Sequence, residues 1–215
     1  SLPLCLLAQI EESNETFEFS PPLLDGGEVN IDGFLDEKAW NNSLSLSNFT
    51  SYLPVDGRPA IDNTNIRIWY SKKSLFIAII ADEIHGEVRS TLADRDNLEN
   101  DDYIILFLDT YDDQRSAFAF AVNPLGQQAD GTITDKSSSR NSTLTFNLDD
   151  NPDYVFTSKG RLTDKGYIVE IEIPFKSLRY TKSDVQNWGF NVLRRVQHSG
   201  YRSTLFNVKL DVASF

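Results

Sequence analysis

Residues 65–82 read NIRIWYSKKSLFIAIIAD, two apolar runs joined by a short polar break. In the first run Ile66, Ile68 and Tyr70 fall on one face of an extended chain, with Arg67 and Trp69 on the other. A period of two in β-branched and aromatic residues reads as a strand, and Ser71-Lys72-Lys73 supplies the turn into the next one. The segment is a β-hairpin. Outward from it the same pattern repeats. DYIILFLDT (102–110) runs into the turn YDDQR, and SAFAFAVN (116–123) stops at Pro124-Leu125-Gly126. Residues 153–174 hold two strands about Thr163-Asp164-Lys165-Gly166, and WGFNVLRRV (188–196) and STLFNVKLDV (203–212) complete the set. Short strands at this spacing predict an all-β fold, an antiparallel β-sandwich. Helical patterning is limited to one turn at LDEKAW (35–40), capped by Asp32 or Asp36, and one at PFKSLRY (174–180) after Pro174. YIILFL (103–108) and FAFAV (118–122) are apolar on both faces, so either loops cover the far face or it meets a partner.

Composition narrows the function. The chain has 215 residues and a net charge of −12, from 20 Lys plus Arg against 32 Asp plus Glu, a field that repels nucleic acid. Its 14 Phe argue against disorder, and its longest apolar runs are too short to cross a bilayer as helices. A lone cysteine, Cys5, permits no intramolecular disulfide, and His85 and His198 are too far apart in sequence to suggest a His-rich metal site. The absence of Met places the natural start upstream of Ser1. SLPLCLLA reads as the end of an export signal with Ala8 as the last residue before cleavage, the other reading being a short strand. The expected organisation is a signal remnant and acidic extension over 1–27, followed by one sandwich domain over 28–215.

Three groups of side chains are candidates for chemistry. The loop from Asp94 to Asp102 is dense in hard oxygen donors, and Asp94, Asp96 and Asp102 are its candidate calcium ligands. Its spacing departs from the EF-hand loop, and the competing reading is a solvated acidic loop; no cofactor is required. Trp69 with Arg67, and Trp188 with Arg194 and Arg195, could form sugar or anion platforms or be buried structural groups. Glu170 and Glu172 share a strand face where acidic neighbours serve solubility, and His198 has no recognisable nucleophile beside it. The chain is expected not to be an enzyme.

VNIDGFLDEKAW (29–40) resembles the opening of the family-9 carbohydrate-binding modules, which begin I-D-G-x-x-D-E-x-x-W or a close variant. The resemblance continues through NDDYIILFLDT (100–110), FAFAVNPLGQQADG (118–131), GYIVEIEIPFKSLRY (166–180) and NWGFNVLRRV (187–196). It implies an antiparallel sandwich and a non-catalytic carbohydrate-binding-type module. The longer wording is similar to a subgroup that precedes a large outer-membrane β-barrel in Gram-negative bacteria, with FNVKLDVASF (206–215) as the hand-over. That implies an extracytoplasmic place, in the periplasm or at the outer membrane, with a barrel in the same polypeptide and a glycan as partner. Sugar-binding members stack a pyranose between tryptophans. Aligned with their pattern, this chain has Glu99 at one Trp position, Ile105 at a Glu position, and Ala121 at an Arg position beside a retained Asn123. For the second Trp it offers Phe206 or Phe215. The candidate sugar contacts are therefore Trp69, Glu99 and Asn123, and the alternative is a protein-interaction or barrel-docking domain that has lost sugar binding.

Overall fold

Period-two segments become strands throughout the computed structural model, which describes residues 3–10, 15–25, 29–84, 87–92, 94–134, 148–149 and 152–206. In chain order these are β1 (Leu4–Ile10), β2 (Glu15–Phe19), β3 (Leu44–Leu46), β4 (Thr50–Leu53), β5 (Thr64–Tyr70) and β6 (Ser74–Asp82). They continue with β7 (Tyr103–Asp109), β8 (Ser116–Val122), β9 (Gln128–Thr134), β10 (Leu148–Asp149) and β11 (Thr157–Thr163). β12 (Gly166–Pro174), β13 (Gln186–Arg195) and β14 (Arg202–Thr204) end the series. One sheet runs β10-β9-β8-β7-β13-β1-β2, with β14 and β4 added beside β13, and the other runs β11-β12-β6-β5-β3. The hairpin of 65–82 pairs as read, with Trp69 opposite Phe76 and Ile68 opposite Ile77.

Between the sheets, Ile66, Ile68, Ile77, Ile79, Val169 and Ile171 of one face meet Ile104, Leu106, Leu108, Phe120, Phe190 and Val192 of the other. All are withdrawn from water, and each such side chain contributes about 1.5–3 kcal/mol of transfer energy. The outer faces are covered too, which answers the question raised by the doubly apolar strands. Behind β7 and β8, Tyr103, Ile105, Phe107, Ala119 and Ala121 pack with Leu98 of the preceding loop. Behind β5 and β6, Trp69, Phe76 and Ala78 pack under Ala39 and Trp40. Loops, not an exposed apolar patch, account for these strands.

Three details differ from the sequence reading. Leu4–Ile10, read as the end of an export signal with a short strand as the other reading, is a strand: β1 lies parallel to β13 and antiparallel to β2, so among the described residues one parallel pair joins an otherwise antiparallel sheet. The helical turn at 35–40 is a short α1 (Lys38–Asn41) with Glu37 at its N-cap and no side-chain cap, because Asp32 instead accepts bonds from Phe34 N (2.9 Å) and Asn30 Nδ2 (2.8 Å). The last predicted strand is observed only as β14 at its start, and residues 207–215, including Phe215, lie outside the described residues, as does His85. The turn after Pro174 is a 3-10 turn, Phe175–Ser177, as expected in place.

Candidate functional site

At the end of the sandwich where β5 turns into β6, three separate segments border an open cleft of about 950 Å3. Lys72, Lys73 and Ser74 come from the hairpin, Tyr111 from the turn after β7, and Glu172 with residues 174–180 from the end of β12 and the chain beyond it. Backbone bonds lock these pieces together. Phe175 N donates to Lys73 O (2.8 Å), Leu178 N to Phe175 O (3.1 Å), and the Thr110 hydroxyl to Arg179 O. Tyr111 and Tyr180 remain 48% and 40% exposed, large for aromatic rings. Tyr180 is braced against the buried Trp188 at 5.5 Å, and Trp188 in turn meets Phe175 edge-on at 6.0 Å. A second recess of about 610 Å3 adjoins the first and shares Lys72, Lys73, Ser74 and Glu172. The lining thus offers exposed aromatic faces for stacking and cationic side chains as hydrogen-bond donors.

A different cluster fixes the I-D-G…W segment. Glu170, from the middle of β12, is fully buried and accepts bonds from Asp32 N (3.0 Å), Gly33 N (2.7 Å) and Trp40 Nε1 (2.9 Å). Gly33 has φ +90°, the left-handed region that suits glycine, and a Cβ there would stand 3.2 Å from Arg161 Cβ. Arg161 closes the turn from outside, donating to Gly33 O (3.2 Å) with its guanidinium 4.3 Å from the Phe34 ring centre. Burial pushes the Glu170 carboxyl up to about 7, against the pull of the donated bonds. This corrects the expectation that Glu170 sits on a solvated face. Glu172, two residues on, is half-buried and accepts from Ser74 Oγ at 2.7 Å.

The residues proposed for sugar contact do not come together. Trp69 is fully buried, stacked on Phe76 at 4.0 Å and 5° and edge-on to Trp40 at 5.9 Å, so a sugar cannot lie on it while the 29–41 segment stays in place. Arg67, its neighbour on that face, donates to Trp40 O (3.1 Å). Asn123 is fully buried and committed: its Nδ2 donates to Asp101 Oδ2 (2.7 Å) and Thr91 O (2.8 Å), and its Oδ1 accepts from Leu125 N and Gln127 N. Glu99 is exposed at the opposite end of the sandwich from the cleft, where its carbonyl accepts from Arg195 Nη1 (2.6 Å). Ile105 and Ala121 are packed under Leu98. Phe206 stacks on Phe19 at 5.4 Å.

The three aspartates proposed for calcium are also apart in role. Asp94 is exposed, Asp96 accepts from Asp130 N (3.2 Å), and Asp102 is buried, accepting from Gln197 N (2.7 Å) and Arg89 N (3.3 Å). Among the described residues no three His, Cys, Asp or Glu side chains are grouped to hold a metal ion. Burial pushes Asp102 up to about 6, eased by those two N–H groups and by Arg194. Of the two readings for Trp188 with Arg194, a platform or buried structural groups, the second holds: Arg194 is buried between the sheets, donating to Thr64 Oγ1 (2.8 Å) and Asn63 O (3.1 Å), 3.8 Å from Glu83.

Residues 31–208 match the model of the family described as carbohydrate family 9 binding domain-like. The chain belongs to this family. Two solved structures of a carbohydrate binding module family 9 from Caldicellulosiruptor kristjanssonii share its fold. The glucose complex is 16% identical, covers 86% of this chain and 84% of that one, and has a TM-score of 0.59. The cellotriose complex is 17% identical over 85% and 80%, with a TM-score of 0.55. A carbohydrate-binding protein from Bacteroides uniformis, described as putative, is 11% identical over 97% and 93%, with a TM-score of 0.61. No curated protein matches the chain. For this family 9 member the opening motif has a physical reading: Asp32-Gly33 and Trp40 supply the three donors to Glu170, and of the positions aligned with the sugar-binding pattern Ile105, Ala121 and Asn123 are filled or tied while Glu99 is exposed.

Proposed function

We propose that this family 9 domain is a non-catalytic glycan-binding module whose ligand occupies the hairpin-end cleft. The observation that carries the reading is the pair of exposed rings, Tyr111 and Tyr180, on the wall of a cleft of about 950 Å3. The glucose and cellotriose complexes of family 9 modules support the ligand class. Glycosidic hydrolysis needs two carboxyl groups facing each other across a bound sugar. In the cleft Glu172 is the carboxylate among the lining residues and is held by Ser74, while Glu170 is buried behind three N–H donors.

The same proposal places the domain outside the cytoplasm of a Gram-negative bacterium, in the periplasm or at the outer membrane, ahead of a β-barrel in the same polypeptide. Its support is the wording of 100–131 and of 206–215. A reading frame beyond Phe215 with several hundred residues in alternating segments of about ten would bear it out, and a stop or a soluble enzyme domain there would refute it.

The binding reading is tested by calorimetric titration of cellotriose and a panel of mono- and oligosaccharides into the wild type, Tyr180→Ala and Tyr111→Ala. Heat at millimolar ligand that falls about fivefold or more in affinity in the Tyr180 variant supports it, a loss typical of a stacking ring. A protein silent to every sugar leaves the docking reading, favoured by the apolar filling at Ile105 and Ala121.

A further inference from the structure

We infer that the ligand of the hairpin-end cleft is an anionic saccharide, one that carries carboxylate or sulfate groups; this rests on the glycan-binding reading. The chain as a whole has a net charge of −12, yet the cleft is lined by Lys72, Lys73, Lys176 and Arg179 against the single carboxylate Glu172. Those four side chains are exposed, and none is in an ion pair with a described acidic residue. The described ion pairs involve Arg95 and Arg194, which are used to tie loops and sheets. Glu172, for its part, is engaged by the Ser74 hydroxyl at 2.7 Å.

Concentrating unpaired cations at one concave site raises the energy of the free protein through their mutual repulsion, and an anion relieves it. The surrounding acidic field repels anions elsewhere on the surface, so local positive charge directs an anionic ligand to this end. Three ammonium groups on flexible stems suit charges spaced along a chain rather than one fixed anion, and Arg179 supplies a planar fork for a carboxylate or a sulfate. The exposed rings of Tyr111 and Tyr180 add what a free phosphate or a lipid headgroup does not need: faces for a pyranose.

The test is a titration of the full chain with four probes: trigalacturonic acid, a sulfated neocarrabiose, neutral cellotriose, and vesicles of phosphatidylglycerol in phosphatidylcholine. The inference expects trigalacturonate or the sulfated sugar to bind about tenfold or more tighter than cellotriose at 50 mM salt. That ratio should fall as the Debye length shrinks from roughly 10 Å at 0.1 M to 3 Å at 1 M salt. In Lys72→Glu/Lys176→Glu the ratio should drop to about one while the melting temperature is kept, as expected for solvated side chains. Binding of the carboxylated sugar, the sulfated sugar or both identifies which anion the site takes. Cellotriose binding as tight as either charged sugar overturns the inference and leaves the glycan-binding reading intact. Silence of all three sugars overturns both. Vesicle binding without sugar binding overturns the saccharide in favour of a membrane surface.

Discussion

Glu170 Oε1 lies 2.9 Å from the indole nitrogen of Trp40, joining residues 130 apart in sequence across the outer face of the smaller sheet. Its other oxygen holds the backbone of Asp32 and Gly33, so one carboxylate secures the whole 29–41 cover over Trp69 and Phe76. Replacing it by Gln puts an amide N–H₂ against donors. Glu170→Gln should therefore lower unfolding free energy by about 1–3 kcal/mol in urea melts, and Glu170→Ala by more, since three buried donors are stranded. A Gln variant within about 0.5 kcal/mol of wild type would show that the cover is held by packing alone.

Stability should rise on mild acidification, the reverse of ordinary acid denaturation. Glu170 is pushed from 4.5 to about 7 and Asp102 from 3.8 to about 6, each chiefly by burial. Asp109 and Asp130 shift in the same direction for the same first cause. Because the folded pKa lies above the unfolded one, the folded state binds more protons between these values, and its advantage is complete below them and lost as pH rises through the folded pKa. The melting temperature should climb from pH 8 to about pH 4 and then level. Glu170→Gln should flatten the upper part of that slope. A melting temperature that falls over this range contradicts the burial of these carboxyls.

Asn123 and Trp69 should behave as structural residues. Asn123→Ala strands buried Asp101 and the amides of Leu125 and Gln127, and costs about 3 kcal/mol or more. Trp69→Ala opens a large void beside Phe76 and Trp40 and costs about 3–5 kcal/mol. Full stability in Trp69→Ala together with lost sugar binding would restore it as a binding platform.

Removal of metal should leave the domain unchanged. Asp94, Asp96 and Asp102 each serve a different backbone neighbour or face solvent, and Asp102 already has two N–H donors. Melting after EDTA dialysis should match melting in calcium, and a drop of several degrees would refute this.

The strands were legible because each announces itself locally. Ile66-Ile68 and Ile77-Ile79 alternate, and Lys72-Lys73 and Asp164-Lys165-Gly166 interrupt. The opening motif was legible as a resemblance, but its anchor was not. Glu170 stands in an alternating strand where an acidic residue ordinarily faces water, and only the arrival of Asp32, Gly33 and Trp40 from 130 or more positions away buries it. For Arg194 the structural reading holds, but its partners were not legible, since the groups that receive it, Asn63 and Thr64, lie more than 100 residues away at the start of a strand of the other sheet. The cleft had no linear signature: Lys72, Tyr111 and Tyr180 come from separate connections and Glu172 from the end of β12, and only the pairing of β6 with β12 and of β7 with β13 brings them to one end. A faint trace existed in PFKSLRY (174–180), where two aromatics and two cations share seven residues.

The location of the ligand is tested most directly by amide chemical-shift mapping of the labelled domain during titration with trigalacturonic acid and, separately, cellotriose. Shifts should cluster at Lys72, Lys73, Tyr111, Lys176, Arg179 and Tyr180, and leave Glu99, Ile105, Ala121 and Asn123 in place. Shifts concentrated at Glu99, Ile105 and Ala121, with the hairpin end silent, would contradict the account and return the sugar to the far end of the sandwich.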